Sequence, residues 1–265
     1  MKKFASVLPG IAILAFAAVA GAGVVVNEQQ IIDQPNGQKV NRARTVMIEG
    51  DKQKSIIDNG KRAIITDLGK GTMTMVDGAR KTYVEFPFPP MGGTTTANQG
   101  GVSPTISFKK TGSHDKIIGY SCDEYSGAGR VGGNSVSMSG CFSASAPGAS
   151  DYSNFQREMA DKVKGTPIAS MWQIPQGVPL RLTITTTIGN LPTAGMTAEQ
   201  ANSVNQLLAH RQFVTDTTVS KISTASLPAD SFQVPSGYLK QQAPPMFSGM
   251  NRAPVPAPAP HKVPE

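Results

Sequence analysis

The residues of this 265-residue chain with the widest chemical latitude are two cysteines, three histidines and eleven methionines. Cys122 and Cys141 suit a disulfide better than a metal site, because no histidine stands at a ligand spacing from either. Gly127, Gly129, Gly132 and Gly133 lie between them, which suggests two neighbouring strands joined across a loose connection. In an oxidising compartment such a bridge stabilises by about 3 kcal/mol in the chain-entropy model. The histidines are His114, His210 and His261, and a zinc site of three side chains would need these distant residues to converge. A serine triad would need His114 or His210 to find a serine and a carboxylate. Gly133-Asn134-Ser135-Val136-Ser137 has its serine in the middle of a nucleophile-elbow frame, but Ser137 stands where the closing glycine belongs. Asp123 and Glu124 are adjacent, so on a strand they face opposite sides and fail as a glycosidase pair. No catalytic residue, metal or cofactor is therefore expected, and a hydrolase is kept only as the alternative.

The methionines point to a different chemistry. Met73 and Met75 share one face of a predicted strand, Phe155 and Met159 one stripe of a predicted helix, and Trp172 follows Met171. Flexible unbranched side chains accept irregular apolar ligands, so Met73, Met75, Phe155, Met159 and Trp172 are the candidates for lining a ligand pocket. Ordinary core filling is the competing reading of the same residues.

Charge argues against nucleic acid. The net charge of +7 is spread over pairs such as Arg42 and Arg44, Lys61 and Arg62, and Lys109 and Lys110, the pattern of solvated strand ends. It forms no basic-aromatic module. At the amino end, Lys2 and Lys3 precede an apolar run from Phe4 to Gly23. Ala18-Val19-Ala20 and Ala20-Gly21-Ala22 have the small-x-small pattern that signal peptidase accepts. Residues 1–22 read as a cleaved signal peptide and the protein as periplasmic or secreted. A retained anchor is the alternative, since the run is close to the length of a bilayer span.

Past residue 22 the dominant period is two. Val24 to Ile32 forms a first strand. Segments 42–49, 53–58, 61–66, 72–76 and 80–85 follow as a meander, with turns at Gly50-Asp51, Asn59-Gly60, Gly69-Lys70-Gly71 and Asp77-Gly78. Asn59-Gly60 is the clearest hairpin signal, because both residues tolerate positive φ. Residues 87–104, rich in proline and glycine, read as a surface excursion. Strands resume over 105–110, 116–120, 121–125 and 134–142, with Gly112-Ser113-His114-Asp115 as a turn. Ser153 with Gln156, and Thr197 with Gln200, have the form of capping boxes, which places helices near 153–163 and 197–210. The second helix sits between strands 180–188 and 213–225. The domain core spans 23–240, and residues 241–265, with prolines set among alanines, form a tail that cannot build a core.

Three stretches carry a resemblance. Lys110-Thr111-Gly112 followed by Ile118-Gly119-Tyr120-Ser121-Cys122-Asp123-Glu124-Tyr125, the strand from Gly78 to Tyr83, and Phe232-Gln233-Val234-Pro235-Ser236-Gly237-Tyr238 resemble the DUF4412 family of exported bacterial proteins. The resemblance implies a fold similar to the LolA- and LolB-type periplasmic lipoprotein-localisation factors. That fold is mainly β (α+β): a strongly curved antiparallel sheet, an unclosed half-barrel covered by helices over an apolar cavity. It implies structural roles for Tyr120, Cys122, Tyr125, Pro235 and Gly237 and carries no catalytic residue. Two functions stay open. One is a non-enzymatic periplasmic carrier of a lipid, acyl group or acylated protein, touching the membrane peripherally at most. The other is an envelope interaction or scaffold protein, using the 87–104 loop and the tail to bind a partner.

Overall fold

The computed structural model describes residues 22–34, 37–89, 105–131, 134–164, 166, 169, 174–188, 196–208 and 212–243. Among them the chain is mainly β: twelve strands form one sheet, accompanied by two helices. The strands are β1 (Gly23–Asp33), β2 (Lys39–Glu49), β3 (Lys52–Ile57), β4 (Arg62–Asp67), β5 (Thr72–Asp77), β6 (Thr82–Pro87), β7 (Thr105–Ile117), β8 (Tyr120–Val131), β9 (Asn134–Ser143), β10 (Val178–Thr187), β11 (Gln212–Ala225) and β12 (Leu239–Gln241). The helices are α1 (Ala149–Lys162) and α2 (Ala198–Leu208). The sheet order is β12-β6-β5-β4-β3-β2-β1-β11-β10-β9-β8-β7. The end strands β12 and β7 do not pair with each other, so the sheet stays unclosed. Every pairing is antiparallel except β12 on β6.

The meander β2 to β6 follows its turns. Asp58, Asn59 and Gly60 all take positive φ, which lets the β3–β4 hairpin keep the twist of its strands. Beyond the meander, the register departs from the sequence expectation. Gly112 to Asp115 does not turn the chain: these residues lie inside the 13-residue β7, at an irregularity between Lys110 and His114. The turn comes at Ile118 and Gly119, both with positive φ, so β7 and β8 form one long hairpin. A bulge absorbs the extra residues that the alternation could not place.

Gly127 and Gly129, expected in a loose connection, are strand residues of β8. A Cβ on Gly127 would stand 3.1 Å from the Phe108 ring of β7, so the glycine lets that ring lie across β8. The expected bridge is present. Cys122 of β8 and Cys141 of β9 form a disulfide with their Cα atoms 5.3 Å apart, and both are buried in the main core.

Helix α1 starts earlier than its sequence signal. Its N-cap is Gly148, which has φ 71° and offers no side chain to cap the helix. A Cβ there would meet the Val24 side chain at 2.5 Å. Ser153 lies in the second turn, where its hydroxyl donates to the Ala149 carbonyl at 2.7 Å and accepts from the Gly177 N–H at 2.8 Å. The serine thus ties the helix to the entrance of β10 rather than capping it. At α2 the capping box forms as read: the Thr197 N–H donates to Gln200 Oε1, and the Gln200 N–H to Thr197 Oγ1.

The α1 stripe Phe155, Met159 and Val163 is fully buried. It packs into a core drawn from β1, β2, β8, β9, β10 and β11, so the sheet curls around one side of the helix. A second core lies on the opposite face of the meander. Ala63, Ile65 and Val76 are covered there by Phe232, Val234 and Tyr238 from the segment that follows β11. Lys54 holds this strap by donating to the Ser231 and Gln233 carbonyls. A third cluster, Ile106, Val136 and Met138 with Phe108 and Ile184, packs on β7 to β10.

Candidate functional site

Residues directly opposite on paired strands share a face, which allows the inner surface to be followed strand by strand. From Val24 and Val26 of β1 the inner face passes to Ile48 and Val46 of β2, then to Gln53 and Ser55 of β3. It continues to Thr66 and Ile64 of β4, to Met73 and Met75 of β5, and to Phe86 and Val84 of β6. Helix α1 covers its β1–β2 side. Where the helix gives out, a cavity of about 250 Å³ opens. Gln30 of β1, Arg44 of β2, Gln53, Ser55 and Ile57 of β3, Ile64 and Thr66 of β4, and Met159 of α1 line it.

The cavity has a polar end and an apolar end. At the polar end Arg44 Nε donates to Ser55 Oγ at 2.7 Å, and a terminal nitrogen of the same guanidinium lies 3.4 Å from Glu28 Oε2. The Glu28 side chain is only 3% exposed. Burial pushes its carboxyl above the usual carboxylate range, with the Arg44 charge pulling the other way. Tyr152 of α1 is buried nearby. Burial, and secondly the Glu28 charge, raise its hydroxyl well above the ordinary phenol value. Glu28 Oε2 and Gln156 Oε1 are buried acceptors without a hydrogen bond. At the apolar end Ile57 and Ile64 continue through the cross-strand neighbours Met75 and Val84 toward the sheet edge. Ile57, Ile64 and Val84 are half-buried, and Met75 is 47% exposed.

Of the five residues expected to line a pocket, Met159 lines this one. Met73 lies on the same face, packed against the main core. Phe155 differs from expectation: at 0% exposure it is core, not wall. Met75 is on the inner face but uncovered, and Trp172 lies outside the described residues. The cavity is also more polar than the resemblance implies.

Sequence reading missed the polar set, although alternation held a signal for it. Glu28 and Gln30 stand in the buried phase of Val24 and Val26, and Arg44 in the phase of Val46 and Ile48. A charged residue in the buried phase of a strand has to be paired or neutralised.

A second, more open concavity of about 380 Å³ lies over β7 to β9, lined by residues that include Ser113, His114, Glu124, Ser126 and Ser139. The His114 side chain is 66% exposed, and its Nδ1 lies 2.6 Å from Asp123 Oδ1. Lys110 Nζ holds the other carboxylate oxygen at 2.7 Å. The Lys110 hydrogen bond first, and His114 after it, keep the Asp123 carboxyl below its usual range. Arg181 of β10 bridges Asp115 and Glu124 beside this cluster. His210 and His261, like most of the 87–104 loop, the tail and the amino-terminal segment, lie outside the described residues.

No family model matches the sequence, and no curated protein does. Among solved structures the fold is weakly similar to PNGF-II in two crystal forms, at TM-score 0.39 and 10% identity in both. These alignments cover 85% and 84% of this chain and 31% and 32% of that one, so the chain spans about a third of the length of PNGF-II. It is also weakly similar to a LolA superfamily protein from Nitrosomonas europaea, at TM-score 0.30 and 9% identity, over 81% of this chain and 91% of that one.

Proposed function

We propose that this protein is an exported, non-enzymatic binding protein that carries a lipid or other acyl-bearing amphiphile on the inner face of its sheet. The observation behind this reading is the run from the α1 cavity through Ile57 and Ile64 to Met75 and Val84. It is an apolar track, partly open, that begins at a polar recess. An amphiphile covers such a track with its chain and hydrates poorly as a free molecule, so binding removes apolar area from water on both partners. The recess beside Arg44 offers its head group hydrogen bonds. Export is supported by the Cys122–Cys141 disulfide, since such bonds persist in oxidising compartments. Membership of DUF4412 belongs to the same reading and is supported by the motif residues alone.

The test is direct. Recombinant protein stripped of lipid is titrated with fluorescent acyl probes and with phospholipid vesicles. Saturable uptake that Met75→Asp and Ile64→Asp weaken is expected. Failure to retain any acyl probe would remove the carrier reading.

A further inference from the structure

The polar end of the cavity has a charge and hydrogen-bond inventory that selects among head groups. Arg44 and Glu28 cancel each other's charge at 3.4 Å. A charged head, phosphate or ammonium, would find no unpaired counter-charge there and would give up part of its hydration in a partly water-excluded recess. Among the described residues three buried side-chain atoms lack a hydrogen bond, Glu28 Oε2, Gln156 Oε1 and, away from the cavity wall, Asp33 Oδ1. The first two are acceptors, so the group that completes them must donate.

Neither the Glu28 nor the Gln156 side chain is part of the cavity wall itself, and each adjoins a residue that is. Glu28 is the ion-pair partner of the cavity-lining Arg44, and Gln156 precedes the cavity-lining Met159 by one helical turn on the buried face of α1. The remaining polar wall groups, Gln30, Gln53, Ser55 and Thr66, have amides and hydroxyls that both donate and accept. A volume of about 250 Å³ suits a single sugar ring or glycerol unit.

We propose that this recess receives a neutral, hydroxyl-bearing head group, glycosyl or glyceryl, two of whose hydroxyls donate to Glu28 Oε2 and Gln156 Oε1. The inference rests on the amphiphile reading above and adds the chemistry of the head. It holds equally for a free sugar and for a glycolipid, and the experiment separates them.

The lipid-stripped full chain is titrated calorimetrically at pH 8, below micelle-forming concentrations, with four probes. Three share one tail: n-octyl β-D-glucoside, n-octyl phosphate and n-octyltrimethylammonium. The fourth, methyl β-D-glucoside, has the head without the tail. The glucoside is expected to bind at least about tenfold tighter than the two charged octyl probes, the difference of one well-made hydrogen bond to a buried charged or amide group. Gln156→Met should erase most of that preference while leaving octyl phosphate binding within about twofold, whereas Glu28→Gln, which leaves Arg44 without its counter-charge, should erase it by tightening octyl phosphate as well as weakening the glucoside. Either variant, if folded by its melting curve, suffices for the test.

Equal affinity for all three octyl probes overturns the head-group inference and leaves the amphiphile reading standing. Methyl glucoside binding as tightly as octyl glucoside upholds the head group and overturns the amphiphile reading. Binding of none of the four overturns both.

Discussion

The two halves of the sheet solve the problem of exposed strand surface by different means. The meander β2 to β6 is made of compact hairpins; its outer face is covered by the strap carrying Phe232, Val234 and Tyr238, and its inner face by α1 on the β2 side, with the track from Ile64 to Met75 left partly open. The half from β7 to β10 has longer strands and leaves its outer face to hydroxyls. Ser126, Ser139 and Thr183 stand in cross-strand register there, and Thr183 Oγ1 donates to Asp216 Oδ1 at 2.6 Å. That half gains its stability from an inner aromatic cluster, with Phe142 edge-on to Tyr125 and Phe108, and from the disulfide between β8 and β9. Where the outer face finds apolar cover, packing suffices. Where one face stays wet, the chain adds a covalent tie, in keeping with the limited apolar area that a one-sided sheet can hide.

Phe155 tests whether the halves are one folding unit, because the core it fills draws from both. Phe155→Ala should cost about 4 kcal/mol by combining lost burial with a cavity. Urea unfolding followed on both halves should still show a single transition; two separated midpoints would break the comparison into independent parts.

Arg44 comes next. Replacing it by Met leaves Glu28 buried without its counter-charge, which should cost about 3 kcal/mol at pH 8. The sign with pH follows from Glu28. Its folded carboxyl titrates above the ordinary value of 4.5, so the folded state binds a proton more readily than the unfolded one. Stability falls as pH rises from about that value through the folded pKa, and it is regained as pH drops. Removing Arg44 raises the folded value further, so the loss should be largest at pH 8 and shrink near pH 5. A loss independent of pH over that window would show that Glu28 does not carry the effect.

Removing the bridge with Cys122→Ala and Cys141→Ala should cost about 3 kcal/mol. Hydrogen exchange should accelerate in β7 to β9 while β3 to β5 keep their protection. Uniform acceleration would show that the tie serves the whole sheet. The smallest effect belongs to the strap. Phe232 is only partly buried, so Phe232→Ala should cost about 1–2 kcal/mol. Its mark should be faster exchange confined to β4, β5 and β12.

Much of the site's chemistry was legible only in outline. The phase of Met73 and Met75, the α1 stripe and the position of Met159 followed from periodicities of two and 3.6. The polar recess did not, because Glu28 and Arg44 look like ordinary strand charges until β1 is seen to be covered by α1. His114 was misplaced because Thr111-Gly112-Ser113 has the composition of a turn. A bulge uses the same residue types, and only the pairing of β7 with β8 tells the two apart.

By itself the sequence determined what short-range sterics and alternation can decide: the five-strand meander and its turns, the capping box of α2, and the cysteine pair on neighbouring strands. The tertiary structure alone decided that β1 pairs with β11, which brings residues almost two hundred positions apart into register. It also decided that the strap covers the meander's outer face and that β12 adds in parallel to β6. Such contacts depend on which apolar faces are left after local pairing, and that quantity exists only once the sheet has curved. The cavity is its consequence: a place where the curvature of the sheet outruns the length of one helix.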